Sequence, residues 1–143
     1  MSWDDYVNKN LRGAGFCYAA IVGLDGAPYA STPGYVVLPE EAKLISDLLS
    51  SESLDSITQE GFKISGQKYA FVRGELEDDE GTILVPYVQG NNKEKSTQAV
   101  LCMRTAKCLV VAVHDPEYSN GISLGTANTE MGKLCDYLLE SNL

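Results

Sequence analysis

The chain is bracketed by two amphipathic stripes that carry aromatic side chains where aliphatic ones would make a simpler core. They run through Ser2-Trp3-Asp4-Asp5-Tyr6-Val7 at the front and Lys133-Leu134-Cys135-Asp136-Tyr137-Leu138-Leu139 at the back. Trp3, Tyr6, Val7 and Leu11 fall at i, i+3, i+4 and i+8, one face of a helix. Met131, Leu134, Cys135, Leu138 and Leu139 make the second stripe, with Tyr137 beside it. A buried tyrosine needs a partner for its hydroxyl, so such rings gather where one edge is packed and the other is wet. Two arrangements satisfy this pattern. Either the two helices simply close a core, or they leave between them an aromatic groove for an extended ligand.

The segments between the helices read mostly as β. Phe16 to Leu24 is a short apolar run, and Asp25-Gly26 after it is a strong hairpin signal, with Ala27 to Ser31 as the return strand. Thr32-Pro33-Gly34 turns the chain again. Pro39-Glu40-Glu41 then opens a helix, with Pro in the first turn and carboxylates at the positive end of the dipole. Ala42, Ile45, Leu48 and Leu49 supply its apolar face. Ser50 to Ser56 is a polar break that leads into a short helical turn before Gly61.

Phe62–Ile64 and Lys68–Arg73 flank Ser65-Gly66-Gln67 as a second hairpin. Thr82 to Val88 reads as a strand that Pro86 confines to an edge or a bulge. Gly90 to Lys95 reads as a polar loop. Ala99 to Arg104 and Cys108 to Val113, joined by Thr105-Ala106-Lys107, read as adjacent antiparallel strands, and the last helix follows the stretch Asn120 to Gly125. The outline is helix, two strands, helix, about five strands, helix: an antiparallel sheet with helices laid on it. A length of 143 residues, with no repeat and no linker, suits a single domain over 1–143.

Several functions are disfavoured by composition. A net charge of −9 works against nucleic acid and anionic lipid, both of which require clustered Lys and Arg. Much of the excess lies in one run, Glu75, Glu77, Asp78, Asp79 and Glu80, expected to be a solvated loop tip. No apolar run approaches the roughly 20 residues of a membrane span, and the acidic start is unlike a secretory signal. A cytoplasmic protein with reduced thiols is the expectation, since Cys17, Cys102, Cys108 and Cys135 contain no CxxC pair.

Chemistry finds little purchase. The one histidine, His114, precedes Asp115, but neighbours on a strand point to opposite faces, and no nucleophile elbow accompanies them. One His and four scattered Cys match no metal spacing, and Gly13-Ala14-Gly15 lacks the Lys-Ser or Lys-Thr ending of a phosphate loop. An anion at the helix that follows Gly121 to Gly125 is a weak alternative. The sequence implies no enzyme, no metal and no cofactor.

The residues resemble profilin along the whole chain. MSWDDYV with Asn10-Leu11 and Gly13 is similar to the family's first helix, and Ala19 to Gly26 to its first hairpin. Gly61-Phe62-Lys63-Ile64-Ser65-Gly66-Gln67-Lys68-Tyr69 resembles its central hairpin, Met103 to Lys107 its late turn, and Asp136-Tyr137-Leu138 its last helix. The resemblance implies an α+β fold. A central antiparallel sheet of about 6–7 strands would carry the N- and C-terminal helices together on one face and shorter helices on the other. It implies binding of monomeric actin and of proline-rich partners such as formin-like proteins, with regulation of actin polymerisation and nucleotide exchange. A PAS- or roadblock-type sensor domain is the alternative architecture.

By the same resemblance the polyproline groove would be Trp3, Tyr6, Tyr29, Tyr137 and Leu143. Tyr29 stands where the family usually has Trp, and Leu143 where a terminal aromatic is common, so proline binding is expected to persist and to be weaker. A polyproline II strand has little entropy left to lose, which suits flat aromatic walls. The actin face would lie on the far side of the sheet and at the start of the last helix, as Phe71, Arg73, Tyr87, Thr97, Arg104, Gly125, Asn128 and Lys133. Tyr87 and Gln89 stand where basic residues often sit, which implies slower actin capture than in a basic relative. Lys93, Lys95, Arg104 and Lys107 would make at most a small, weak patch for phosphoinositide head groups.

Overall fold

The computed structural model describes residues 2–76 and 85–143, and the strands follow from turn chemistry that the sequence carries openly. Tyr18–Gly23 (β1) and Pro28–Ser31 (β2) close over Asp25-Gly26, where Asp25 accepts the Ala27 N–H at 3.0 Å. Gly26 takes φ 95°, and a Cβ there would lie 2.6 Å from Pro39 Cα, so only glycine lets the turn pack on the following helix. That helix, Pro39–Leu49 (α2), is followed by a short one, Asp55–Glu60 (α3). Phe62–Ile64 (β3), Gln67–Glu75 (β4), Tyr87–Asn92 (β5), Ala99–Arg104 (β6) and Cys108–His114 (β7) complete a seven-stranded sheet in the order β2-β1-β7-β6-β5-β4-β3. Among the described residues every pairing between neighbouring strands is antiparallel.

β7 is buried along its whole length and β6 along all but its last residue, because the sheet is covered on both faces. That is why both read as continuous apolar runs instead of alternating ones. Cys108, Val110 and Ala112 point into one core with Val7, Leu11, Met131, Leu134 and Leu138. Leu109, Val111 and Val113 point into a second core with Ala42, Ile45, Leu49 and Ile57. The terminal helices therefore share one face, and α2 and α3 lie on the other, as the α+β expectation requires. The last helix, Leu124–Glu140 (α4), is capped by Ser123, whose Oγ accepts the Thr126 N–H at 3.1 Å, so its N-terminus is met by its own side chain.

Two sequence expectations change. The first helix opens at Trp3–Asp5 under a capping box from Ser2 and Asp5, then widens into a π-helical stretch at Tyr6–Leu11 (together α1). The Arg12 N–H reaches back five residues to Val7 O, which brings Tyr6, Val7 and Leu11 inward together. Second, β5 continues to Asn92, through residues expected to be loop, because Gly90, Asn91 and Asn92 pair with both β4 and its other neighbours. Polar composition yielded there to ladder hydrogen bonds on both sides. The expected strand start at 82–84 and the acidic residues at 77–80 lie outside the described residues.

One buried carboxylate ties the second layer together. Glu41, 7% exposed, accepts from the backbone N–H of Leu38 (3.0 Å), Ser65 (2.6 Å) and Gly66 (2.9 Å). It caps its own helix and clamps the β3–β4 turn, where Ser65 holds φ 53°. All four cysteines are buried as free thiols.

Candidate functional site

The trough between α1 and α4 is built from rings in series. Trp3, in the first turn of α1, lies 5.3 Å from the ring of Tyr29 on β2, tilted by 32°. It also lies 5.8 Å edge-on from Tyr6, and Tyr6 is 6.3 Å from Tyr137 on α4. Tyr6 is nearly covered, while Tyr29 and Tyr137 are 43% and 52% exposed. Burial, then the neighbouring Tyr137 phenol, raises the Tyr6 hydroxyl above the usual tyrosine range. Four of the five groove residues named from sequence thus form one continuous aromatic wall. Leu143 packs half-buried against the core to which Tyr6 belongs. Its backbone oxygen accepts from Thr105 Oγ1 (3.0 Å) and Lys107 N (2.6 Å).

Beyond Tyr137 the trough deepens into a recess of about 300 Å³ lined by Tyr6, Asn10, Glu130, Lys133, Leu134 and Tyr137. Asn10, Glu130 and Leu134 were not expected at the site. The spacing 130, 133, 134, 137 on α4 and 6, 10 on α1 is the signal that would have found them. Lys133 belongs to this recess, where its Nζ donates to Glu130 Oε1 at 3.2 Å. The sequence expectation places it on the actin face. Lys133 stands one turn before Tyr137 and two turns beyond Gly125, so its row on α4 runs from the start of the helix to the recess.

The remaining candidates for the second face divide between the two sides of the sheet. A bulge in β4 pairs Phe71 with Gly90 but Arg73 with Gln89, so the two side chains two residues apart point to opposite faces. Phe71 packs on the α2 side, and Arg104 turns there too, donating to Ser46 O at 3.3 Å. Arg73 comes to the α4 side, where its Nε donates to Gln89 Oε1 at 3.1 Å, and Tyr87 packs against the α4 core. Thr97 lines a cleft of about 440 Å³ with Asn91, Ser123 and Leu124 at the start of α4. Arg73, Tyr87 and Thr97 therefore share the α4 side of the sheet, and Gly125 and Asn128 sit in the first turns of that helix. Phe71 and Arg104 face the α2 side, so the residues named from sequence lie on both sides of the sheet.

His114 and Asp115 separate as strand neighbours do. His114 is buried, edge-on to Phe16, with Nε2 2.8 Å from Ile122 O. Asp115 is fully buried and meets Lys95 Nζ at 2.9 Å. Burial alone would raise its carboxyl, but hydrogen bonds from Lys95, the Glu117 N–H and Gln98 outweigh it and hold the group below the usual range. Among the described residues no His, Cys, Asp and Glu cluster could hold a metal ion, and no helix is long and apolar enough to cross a membrane.

Comparison with known proteins agrees along the full length. The family model "Profilin" matches residues 1–143. Profilin-2 of Dictyostelium discoideum is 31% identical over 143 residues, covering 99% of each chain. Profilin-1A of Acanthamoeba castellanii is 33% identical over 140 residues, covering 97% of each. Among solved structures, Acanthamoeba castellanii profilin IB superimposes with a TM-score of 0.80 at 29% identity, over 99% of this chain and 100% of its own. Mouse profilin IIa, solved in complex with a double repeat from the FH1 domain of mDia1, shares the fold at a TM-score of 0.75 and 21% identity. The whole-length match leaves no room for a PAS or roadblock module, and the chain belongs to the profilin family of non-enzymatic, actin-binding proteins.

Proposed function

We propose that this single-domain chain binds monomeric actin and proline-rich segments of partner proteins, and so regulates actin polymerisation and nucleotide exchange on actin in the cytoplasm. The observation that carries the proline half is the unbroken series of rings Tyr29, Trp3, Tyr6 and Tyr137. Prolyl rings stack on such walls, and the indole N–H and tyrosyl hydroxyls offer donors to the exposed carbonyls of a polyproline II strand. The mouse relative solved with a formin FH1 repeat supports a proline-rich ligand of the formin type. Tyr29 in place of Trp narrows the wall, and Leu143 adds no ring, so binding is weaker than in relatives that keep both.

The actin surface is assigned to Arg73, Tyr87 and Thr97 with the first turns of α4 at exposed Gly125 and half-buried Asn128. Lys133, two turns beyond Gly125 and one before Tyr137, stands between the two surfaces. Phosphoinositide binding is a minor activity at most. Lys95 already serves Asp115, and Arg104 turns towards α2, which leaves Lys93 and Lys107 as dispersed charges.

Titration of a ten-proline peptide, followed by Trp3 fluorescence and by calorimetry, tests the groove. A saturable signal that Tyr137→Ala abolishes supports it, and a flat titration by both methods refutes it. Fluorescent-nucleotide exchange on actin monomers, with and without the protein, tests the second face.

A further inference from the structure

α2 carries two apolar stripes. Ala42, Ile45 and Leu49 enter the core, but Leu44 stands 57% exposed on the solvent side, with Leu48 half-buried one turn later. The i, i+4 pair forms the floor of a groove of about 430 Å³ between α2 and α3, closed by the covered side chain of Ile57. Neither the aromatic trough nor the α4 side of the sheet uses this surface. A monomer gains nothing by leaving a leucine at position 44 in water, whereas a partner that covered it would recover about 25 cal/mol per Å².

Charge says what such a partner carries. Asp47 and Glu60 form the rim of the groove, and Glu40, Glu52 and Asp55 are exposed on the same two helices and their connection. The only basic side chain between Pro39 and Glu60 is Lys43, already held by Asp47 at 3.0 Å. A second copy of a chain with net charge −9 would meet repulsion here. Apolar anchors one helical turn apart suit a partner helix with matching i, i+3, i+4 anchors.

We propose that the α2–α3 groove docks a basic amphipathic helix of a partner protein. Leucine-like anchors of that helix cover Leu44 and Leu48, and its lysines or arginines face Asp47 and Glu60. The site lies on the sheet face opposite α1 and α4, so it can be filled while the aromatic trough is occupied. This leaves the proline-binding assignment untouched whatever its outcome.

The test uses the whole protein and a labelled synthetic helix of about 15 residues. It carries leucines at i, i+3, i+4 and i+7, and lysine and arginine elsewhere. A peptide of identical composition with the leucines scattered around the helix is the control. Fluorescence anisotropy should show roughly ten-fold tighter binding of the patterned peptide, reduced roughly ten-fold by Leu44→Ser. Asp47→Asn with Glu60→Gln should weaken binding and flatten its salt dependence. Amide NMR shifts should concentrate between residues 43 and 61, and thermal unfolding should confirm that the variants fold. Equal binding of both peptides, or indifference to Leu44→Ser, would reduce the groove to general acidity and overturn the proposal. Self-association by sedimentation that Leu44→Ser abolishes would also overturn it, by making a second copy the occupant.

Discussion

Replacing Glu41 should loosen the second layer without touching the ligand trough. Its carboxylate receives three backbone N–H groups, from Leu38, Ser65 and Gly66, while only 7% exposed. Hydrogen bonds to a charged acceptor contribute about 1.5–3 kcal/mol each when measured singly. The three share one carboxylate, and turn amides can regain water, so simple addition overstates the loss. A net cost of about 3 kcal/mol for Glu41→Ala is the working figure, against a total stability of roughly 5–15 kcal/mol. For a chain of this size that lowers Tm by about 10 °C. Glu41→Gln keeps one acceptor oxygen and should lose about half as much. Circular dichroism melts and urea titrations give both numbers, and hydrogen exchange at Ser65 and Gly66 locates the loosening. Proline-peptide affinity should stay within two-fold of wild type. A Tm within about 2 °C of wild type, with those amides still protected, would refute the clamp.

Other expectations follow from single contacts. Trp3→Ala removes the ring joining Tyr29 to Tyr6 and should cost about 2 kcal/mol of proline-peptide binding, roughly 30-fold in Kd by calorimetry. Arg73→Glu should slow actin association about ten-fold in stopped flow at low salt, with the gap closing as salt rises. The folded state holds Asp115 below its ordinary value, so its contribution is present above about pH 4 and fades as the pH falls through the folded pKa. Asp115→Asn should therefore be less stable than wild type at pH 7 and approach it in acid melts. Burial raises all four thiols, and Cys17, the least covered of them at 9% exposed, lines an open cleft, so it should be the first modified by a thiol reagent under native conditions. Mass mapping after brief exposure checks the order.

Much of the architecture was legible because its signals are local. Asp25-Gly26 and Ser65-Gly66 announce their hairpins, and Pro39 with two carboxylates announces α2. The paired apolar runs at 99–104 and 108–113 announce the centre of the sheet. The rings of the trough were equally visible as stripes at helical spacing. The extent of β5 was not, because Gly90, Asn91 and Asn92 carry turn composition and become strand only through pairing with distant residues. Nor was the clamp at Glu41, which looked like an ordinary first-turn carboxylate until the β3–β4 turn arrived 24 residues later.

The chain alone determined that Trp3 and Tyr6 would share the apolar stripe of one helix and that Tyr137 would stand beside the stripe of another, since side-chain periodicity depends on nothing beyond the backbone repeat. Which other side chains stand beside them was decided in three dimensions. The bulge between Phe71 and Arg73 turned two neighbours of equal period onto opposite sides of the sheet. The packing of Met131, Leu134 and Leu138 fixed the rotation of α4, and with it set Lys133 and Tyr137 beside Tyr6 and Asn10 of α1. Both outcomes rest on contacts between segments far apart in sequence, and local pattern carries no information about a register that the partner strand or the core must supply.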